Sequence, residues 1–218
     1  MKKDFWLERW ERQEIGFHQG EVNPYLIKYW ARANPAHSGK VFVPLCGKSQ
    51  DLIWLRNYGQ QVLGVELSPL AVESFFSENG YSPITTRIHN FQQCAADDLK
   101  LLCGDFFDLT ADILEDTVAV FDRASLVALP PEMRSRYAKH LVEILPPLAK
   151  ILLITFEYDQ MRMPGPPFAV TQDEVDALYG QYAEIELLES ISVLEDNPHF
   201  KARGLSALHE NIFLLTLK

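Results

Sequence analysis

Apolar positions along the chain fall into two rhythms. Near-continuous apolar runs occur at 41–45 (VFVPL), 61–66 (QVLGVE), 99–103 (LKLLC), 117–121 (TVAVF) and 150–156 (KILLITF), with two more at 185–194 and 211–217 (NIFLLTL). Such runs predict strands covered on both faces, because a strand with one wet face alternates apolar and polar positions. Helical spacing fills the gaps. Residues 49–58 open at Ser49 as a candidate N-cap and stop before Gly59. Residues 68–79 carry Ser68 as N-cap, Pro69 at the first helical position and Gly80 after the end, the order of signals that helix termini require. Residues 130–145 begin with a proline pair and place Met133, Tyr137, Leu141 and Ile144 on one face. Residues 171–179 open on Thr171 and Glu174, the spacing of a capping box.

Strand–helix alternation predicts βαβ units and a mainly parallel sheet. The last two strands have no helical pattern between them and are expected to pair as an antiparallel hairpin at one edge. The fold class is therefore α/β, Rossmann-like, with a seven-stranded mainly parallel sheet and an antiparallel edge hairpin. By analogy this is the sheet of class I methyltransferases; plain dehydrogenases usually lack the hairpin. The length of 218 residues suits a single domain over 1–218, with 1–35 as an N-terminal helical segment able to act as a lid.

Charge narrows the partners. The net charge of −10 comes without any Lys/Arg run or basic amphipathic helix, so nucleic acid and anionic membranes are poor partners. Three cysteines (Cys46, Cys94, Cys103) form no CxxC or Cys/His cluster. That spacing predicts neither a disulfide framework nor a metal site, and fits reduced thiols in cytoplasm. The N-terminus has basic residues with no continuous apolar stretch behind them, so no signal peptide is expected. A transmembrane helix needs an apolar run of about 18 residues, and none is present. Nothing in the pattern calls for a partner subunit, and a monomer is expected.

Ligands of open α/β sheets sit beyond the carboxyl ends of the strands, which directs attention to VFVPLCGKSQDL, residues 41–52. A phosphate-binding GxxxxGK[ST] loop would need glycine where Phe42 stands. A dinucleotide GxGxxG turn would need two more glycines than PLCGKS offers. S-adenosylmethionine (SAM) wants a tight backbone turn and carries no phosphate, so it fits. Pro44 cannot donate to a ladder, so the strand must end or bulge there, freeing the backbone of Leu45, Cys46 and Gly47 to face a ligand. Glu66 ends the second strand, where a carboxylate grips a ribose diol; the alternative is a solvated strand-end acid. Asp105 and Phe106, in GDFF after the third strand, either meet an adenine or belong to the core. Arg123, ending the fourth strand, points to the cofactor carboxylate or the substrate, or else serves a structural ion pair.

Taken together the motifs resemble the thiopurine S-methyltransferase family, bacterial branch, along nearly the whole chain. They are WxxRW…GFHQ (Trp6 to Gln19), PLCGKSxDLxWL (Pro44 to Leu55), GVELS (Gly64 to Ser68), GDFF (Gly104 to Phe107), DRASLVALP (Asp122 to Pro130), GPPF (Gly165 to Phe168) and the C-terminal LLT. The resemblance implies SAM-dependent methylation of the sulfur of aromatic or heterocyclic thiols such as thiopurines, with selenium and tellurium compounds, and so tellurite resistance, as associated chemistry. It implies that Trp10, Leu45, Glu66 and Arg123 contact SAM, with Trp10 acting from an N-terminal segment folded over the pocket. Alternatively, Trp6 and Trp10 are simply the apolar face of a helix. The arginine that mammalian members of the family carry near the substrate is replaced here, within NPHFKARG, by His199, with Arg203 close by but not equivalent. No base of obvious standing is visible, and an acidic thiol needs none; Arg123 is expected to stabilise the substrate anion. The Pro/Gly-dense stretch 161–168 is either a second lid or a rigid connector. Halide or thiocyanate methylation on the same scaffold, and SAM binding without turnover, are the competing functions.

Overall fold

In the computed structural model the described residues are 3–34 and 39–218; the outermost positions of the expected N-terminal segment, 1–2 and 35, lie outside them. In chain order the elements are α1 (Lys3–Glu11), α2 (Pro24–Ala33), β1 (Lys40–Val43), α3 (Asp51–Asn57), β2 (Gln61–Glu66), α4 (Pro69–Glu78), β3 (Ile84–Ile88), β4 (Phe91–Ala96), β5 (Leu99–Cys103), α5 (Ala111–Leu114), β6 (Thr117–Arg123), α6 (Pro131–Ile144), β7 (Lys150–Glu157), α7 (Gln172–Tyr179), β8 (Ala183–Ser192), α8 (Pro198–Ala202) and β9 (His209–Leu217).

Among the described residues the strands form one nine-stranded sheet ordered β3-β4-β5-β2-β1-β6-β7-β9-β8. The seven expected strands occupy its centre and one flank. β5, β2, β1, β6 and β7 run parallel, and β9 pairs antiparallel with both β7 and β8. Two strands were not expected. β3 and β4 form an antiparallel hairpin that extends the β5 edge. ITTRI is almost wholly exposed and FQQCAA mixes burial with exposure, so neither carries the apolar run that marks a buried strand. The expected lack of a helix between the last two strands is corrected by α8, a single turn whose one buried side chain is Phe200.

Alternation along the strands separates two cores. Val41, Val43, Phe121, Ile154 and Ile212 face α2, α3 and α4, whereas Phe42, Val120, Leu153 and Phe213 face α6 and α7. Each fully buried Leu or Phe contributes about 1.5–3 kcal/mol. α2 belongs to the first of these layers: its Leu26 and Trp30 are fully buried. The part of the 1–35 segment that lies above the sheet's edge is thus α1 and the following turn.

Capping chemistry follows the sequence at α4, where the Ser68 hydroxyl accepts the Ala71 N–H. At α7 half of the expected box forms. Thr171 accepts the Glu174 N–H, but the Glu174 carboxylate turns to the buried Arg134 at 2.6 Å. Arg134 also donates to the carbonyls of Leu129 and Ala169. α3 starts at Asp51, not at the predicted 49, because the Ser49 hydroxyl bonds the Asp51 side chain as well as its N–H. Residues 161–168 form no helix or strand; the Phe168 N–H donates to the Val127 carbonyl at 2.7 Å, and the Tyr158 hydroxyl to the Pro167 carbonyl at 2.6 Å.

Candidate active site

The chain passes from β1 to β2 on one side and returns to β6 on the other, so the carboxyl ends of β1 and β6 mark a topological switch point, where open α/β sheets hold their ligands. Three residues in the two turns there have left-handed backbone: Leu45 (φ 45°), Gly47 (φ 53°) and Ala124 (φ 63°). Two of these are not glycine, and such conformations persist where surrounding structure fixes them. The fixing bonds are visible. β1 ends at Val43, before Pro44 as expected. The Cys46 N–H donates to the Val65 carbonyl at 2.9 Å. The Ser125 hydroxyl donates to the Pro44 carbonyl at 2.8 Å, joining the two turns across the switch point.

Glu66 is buried, not solvated. One carboxylate oxygen accepts the Gly47 N–H at 2.9 Å and the other the Ser68 N–H at 2.8 Å. Burial pushes this carboxyl up from the usual range, against the backbone N–H groups of Ser68, Gly47 and Leu67, which favour its ionised form. The side chain therefore pins the turn after β1 to the start of α4. A carboxylate has about four acceptor positions, so lone pairs remain for hydroxyl donors.

Trp10 covers this turn. It is buried, and a Cβ placed on Gly47 would lie 3.2 Å from its ring. Phe17 holds both indoles of α1 edge-on, each with ring centroids 5.6 Å away. The next residues reach the tip of β6, where the Arg123 guanidinium donates to the Phe17 carbonyl at 3.4 Å. Burial pulls the Arg123 pKa down, while Asp51 and Glu210 oppose that pull. No carboxylate among the described residues is in ion-pair contact with it. Burial lowers the pKa of His18 beside it, reinforced by the Lys48 and Arg123 charges and opposed by Glu78 and Asp51. On the opposite face of β6, Asp122 accepts the Tyr137 hydroxyl at 2.7 Å and is fully buried, which pushes its pKa up to about 6.

The expected residues thus divide. Leu45, Gly47, Glu66, Trp10 and Arg123 gather around the switch point. Phe106 packs in the core against Tyr137, with centroids 4.6 Å apart. Burial raises the Asp105 carboxyl, but its 2.7 Å contact with Lys3 and the Phe107 N–H outweigh this and leave it below the usual range. His199 and Arg203 are exposed at α8, against the ring of Phe200. Three residues absent from the sequence reading join the Arg123 side: Asp51, Tyr25 and Glu210. Asp51 is spent on structure, accepting the Asn23 N–H and the Ser49 hydroxyl, both at 2.7 Å. Glu210 lies one residue before the expected strand 211–217, and β9 begins at His209. All three cysteines are free thiols, and no His/Cys/Asp/Glu group suited to a metal occurs among the described residues. No helix among them is long and apolar enough to cross a membrane.

Comparisons with known proteins bear on the family and the fold. A family model described as Thiopurine S-methyltransferase (TPMT) matches residues 1–218. The protein named thiopurine S-methyltransferase of Nitrosospira multiformis is 60% identical over 215 residues, 99% of this chain and 98% of that protein. Among solved structures, a SAM-dependent methyltransferase from Anabaena variabilis superposes with a TM-score of 0.65 at 14% identity, covering 99% of this chain and 95% of that one. The Burkholderia thailandensis 1,6-didemethyltoxoflavin-N1-methyltransferase, solved with S-adenosylhomocysteine, gives 0.59 at 14% identity, covering 99% and 87%.

Proposed function

The chain belongs to the thiopurine S-methyltransferase family and is a SAM-dependent methyltransferase; from that premise we propose that its acceptor is the sulfur of an aromatic or heterocyclic thiol, with selenium and tellurium compounds as further acceptors. The observation that carries this reading is Arg123, a half-buried cation at the switch point bonded to one backbone carbonyl and in ion-pair contact with no carboxylate among the described residues. A guanidinium in that state is available to a thiolate.

When bound, SAM supplies an electrophilic methyl group on a sulfonium. The residues suited to hold it are Glu66, for the ribose hydroxyls, and the backbone of Leu45 and Gly47, with Trp10 as cover. The donor set fits a nucleoside without phosphates: in the turn the Gly47 N–H is already committed to the Glu66 carboxylate and the Cys46 N–H to the Val65 carbonyl, which leaves no phosphate nest. Trp10 and Phe17 exclude water from the Gly47 side. Arg123 would stabilise the acceptor anion and orient it. Orientation matters most, since well-aligned reactants remove about 7–11 kcal/mol of a barrier. Residues 3–20 are the part of the N-terminal segment placed to open and close.

Calorimetric titration with SAM, followed by a labelled-methyl assay on thiophenol and 6-mercaptopurine, tests the proposal. Stoichiometric binding and label on sulfur are expected. SAM binding with no label transferred to either thiol would overturn it.

A further inference from the structure

Three titratable groups surround Arg123: His18, Asp51 and Glu210. Burial lowers the His18 pKa, and Asp51 is almost fully buried, where it ties the heads of α2 and α3 together through the Asn23 N–H and the Ser49 hydroxyl. Glu210 differs. Arg123 lies opposite Ile154 in the β6–β7 ladder, and Ile154 opposite Ile212 in the β7–β9 ladder. Glu210 is two residues before Ile212, so it stands on the same face as Arg123 and one step nearer the carboxyl edge of β7. It is half-buried, and its side-chain partner is the Tyr25 hydroxyl in the first turn of α2. No lysine or arginine among the described residues is in ion-pair contact with it. An acid bonded to one hydroxyl keeps acceptor positions open, and burial lifts its proton affinity above the ordinary carboxylate range.

Resting on the methyl-transfer reading above, we propose that Glu210 is a further catalytic residue. It binds the ring N–H of a heterocyclic thione opposite Arg123 and accepts that proton as the sulfur is methylated. The pair then selects acceptors whose sulfur adjoins an N–H. The balance is complete. The acceptor sulfur bonds to the methyl carbon, whose bond to the sulfonium breaks with its electron pair left on the donor sulfur. The N–H bond breaks, its pair closes the ring C=N while the C=S becomes C–S, and the proton goes to the Glu210 carboxylate.

Two acceptors separate this from a structural role: 2-mercaptobenzimidazole, which carries the N–H, and thiophenol, which does not. Glu210→Gln keeps the shape and a partner for Tyr25 and removes a charge that burial disfavours, so SAM binding by calorimetry is expected to persist. Its kcat/KM for 2-mercaptobenzimidazole is expected to fall about 100-fold, and for thiophenol to stay within about threefold. With S-adenosylhomocysteine in place of SAM, its Kd for 2-mercaptobenzimidazole is expected to rise about tenfold. Equal losses on both acceptors, or no loss on either, would overturn the role of Glu210 while leaving the transferase reading intact. A wild-type protein that methylates neither acceptor would overturn that reading itself.

Discussion

The two ends of the switch point are built in opposite ways. Around Glu66, one side chain organises backbone: it ties the Gly47 turn to the head of α4, and the N–H groups it engages belong to residues close to one another in sequence or joined by neighbouring strands. At the other end four charged or titratable side chains, Arg123 among them, come from four distant places: the α1–α2 turn, the head of α3, the tip of β6 and β9. The first end is rigid and internally satisfied. The second holds groups whose charges are displaced from their ordinary balance by burial and left partly unanswered. On the proposed reading, the end that always takes the same nucleoside has the fixed frame, and the end that meets the acceptor has groups still able to respond to it.

The largest effect is expected where the rigid end depends on one residue. Glu66→Ala orphans two N–H groups and removes the proposed ribose anchor; SAM affinity should fall about 1,000-fold by calorimetry, since each bond to a charged group contributes about 1.5–3 kcal/mol. Arg123→Ala should do the reverse, lowering kcat about 100-fold while the SAM Kd changes little; equal losses would move Arg123 to the cofactor end and dissolve the contrast.

Asp122 sharpens the comparison through pH. Its folded pKa, pushed up to about 6, exceeds its unfolded value of 3.8, so the folded state binds the extra proton between those values. Stability from this group is present at low pH and lost as pH rises through that window. Asp122→Asn removes the loss, so its stability relative to wild type, from urea melts at pH 4 and pH 7, should improve by about 2 kcal/mol on going to pH 7. No change with pH would mean that the carboxylate is better solvated than its burial implies. The smallest effect is expected at Gly47. Alanine there meets a left-handed backbone and the Trp10 ring at 3.2 Å, strain of about 1 kcal/mol. SAM affinity should fall about tenfold, and hydrogen exchange across residues 3–18 should rise.

The same contrast explains what could be read from the chain. The frame around Glu66 is contiguous: Pro44 stops a strand, Gly47 allows a turn, and Glu66, Ser68 and Pro69 end one element and begin the next. Such local signals survive in one dimension. The outer hairpin was missed because ITTRI is wet on both faces, and the period of a buried strand has no purchase on it. Asp51, Tyr25 and Glu210 were missed for another reason. Their meeting depends on β9 inserting between β7 and β8, and on α2 lying across β6 and β7, neither of which leaves a trace near those residues. Phe106 could be read only as an even choice, and its ring lies in the core beside Tyr137.

The hydroxyl of Ser125 that spans to the Pro44 carbonyl has a practical corollary for redesign. It fastens the floor of the crevice at one width, so enlarging the acceptor by prising the floor apart would loosen the donor's seat at the same time. Libraries aimed at bulkier acceptors belong outside these two turns, where new shapes leave that fastening intact.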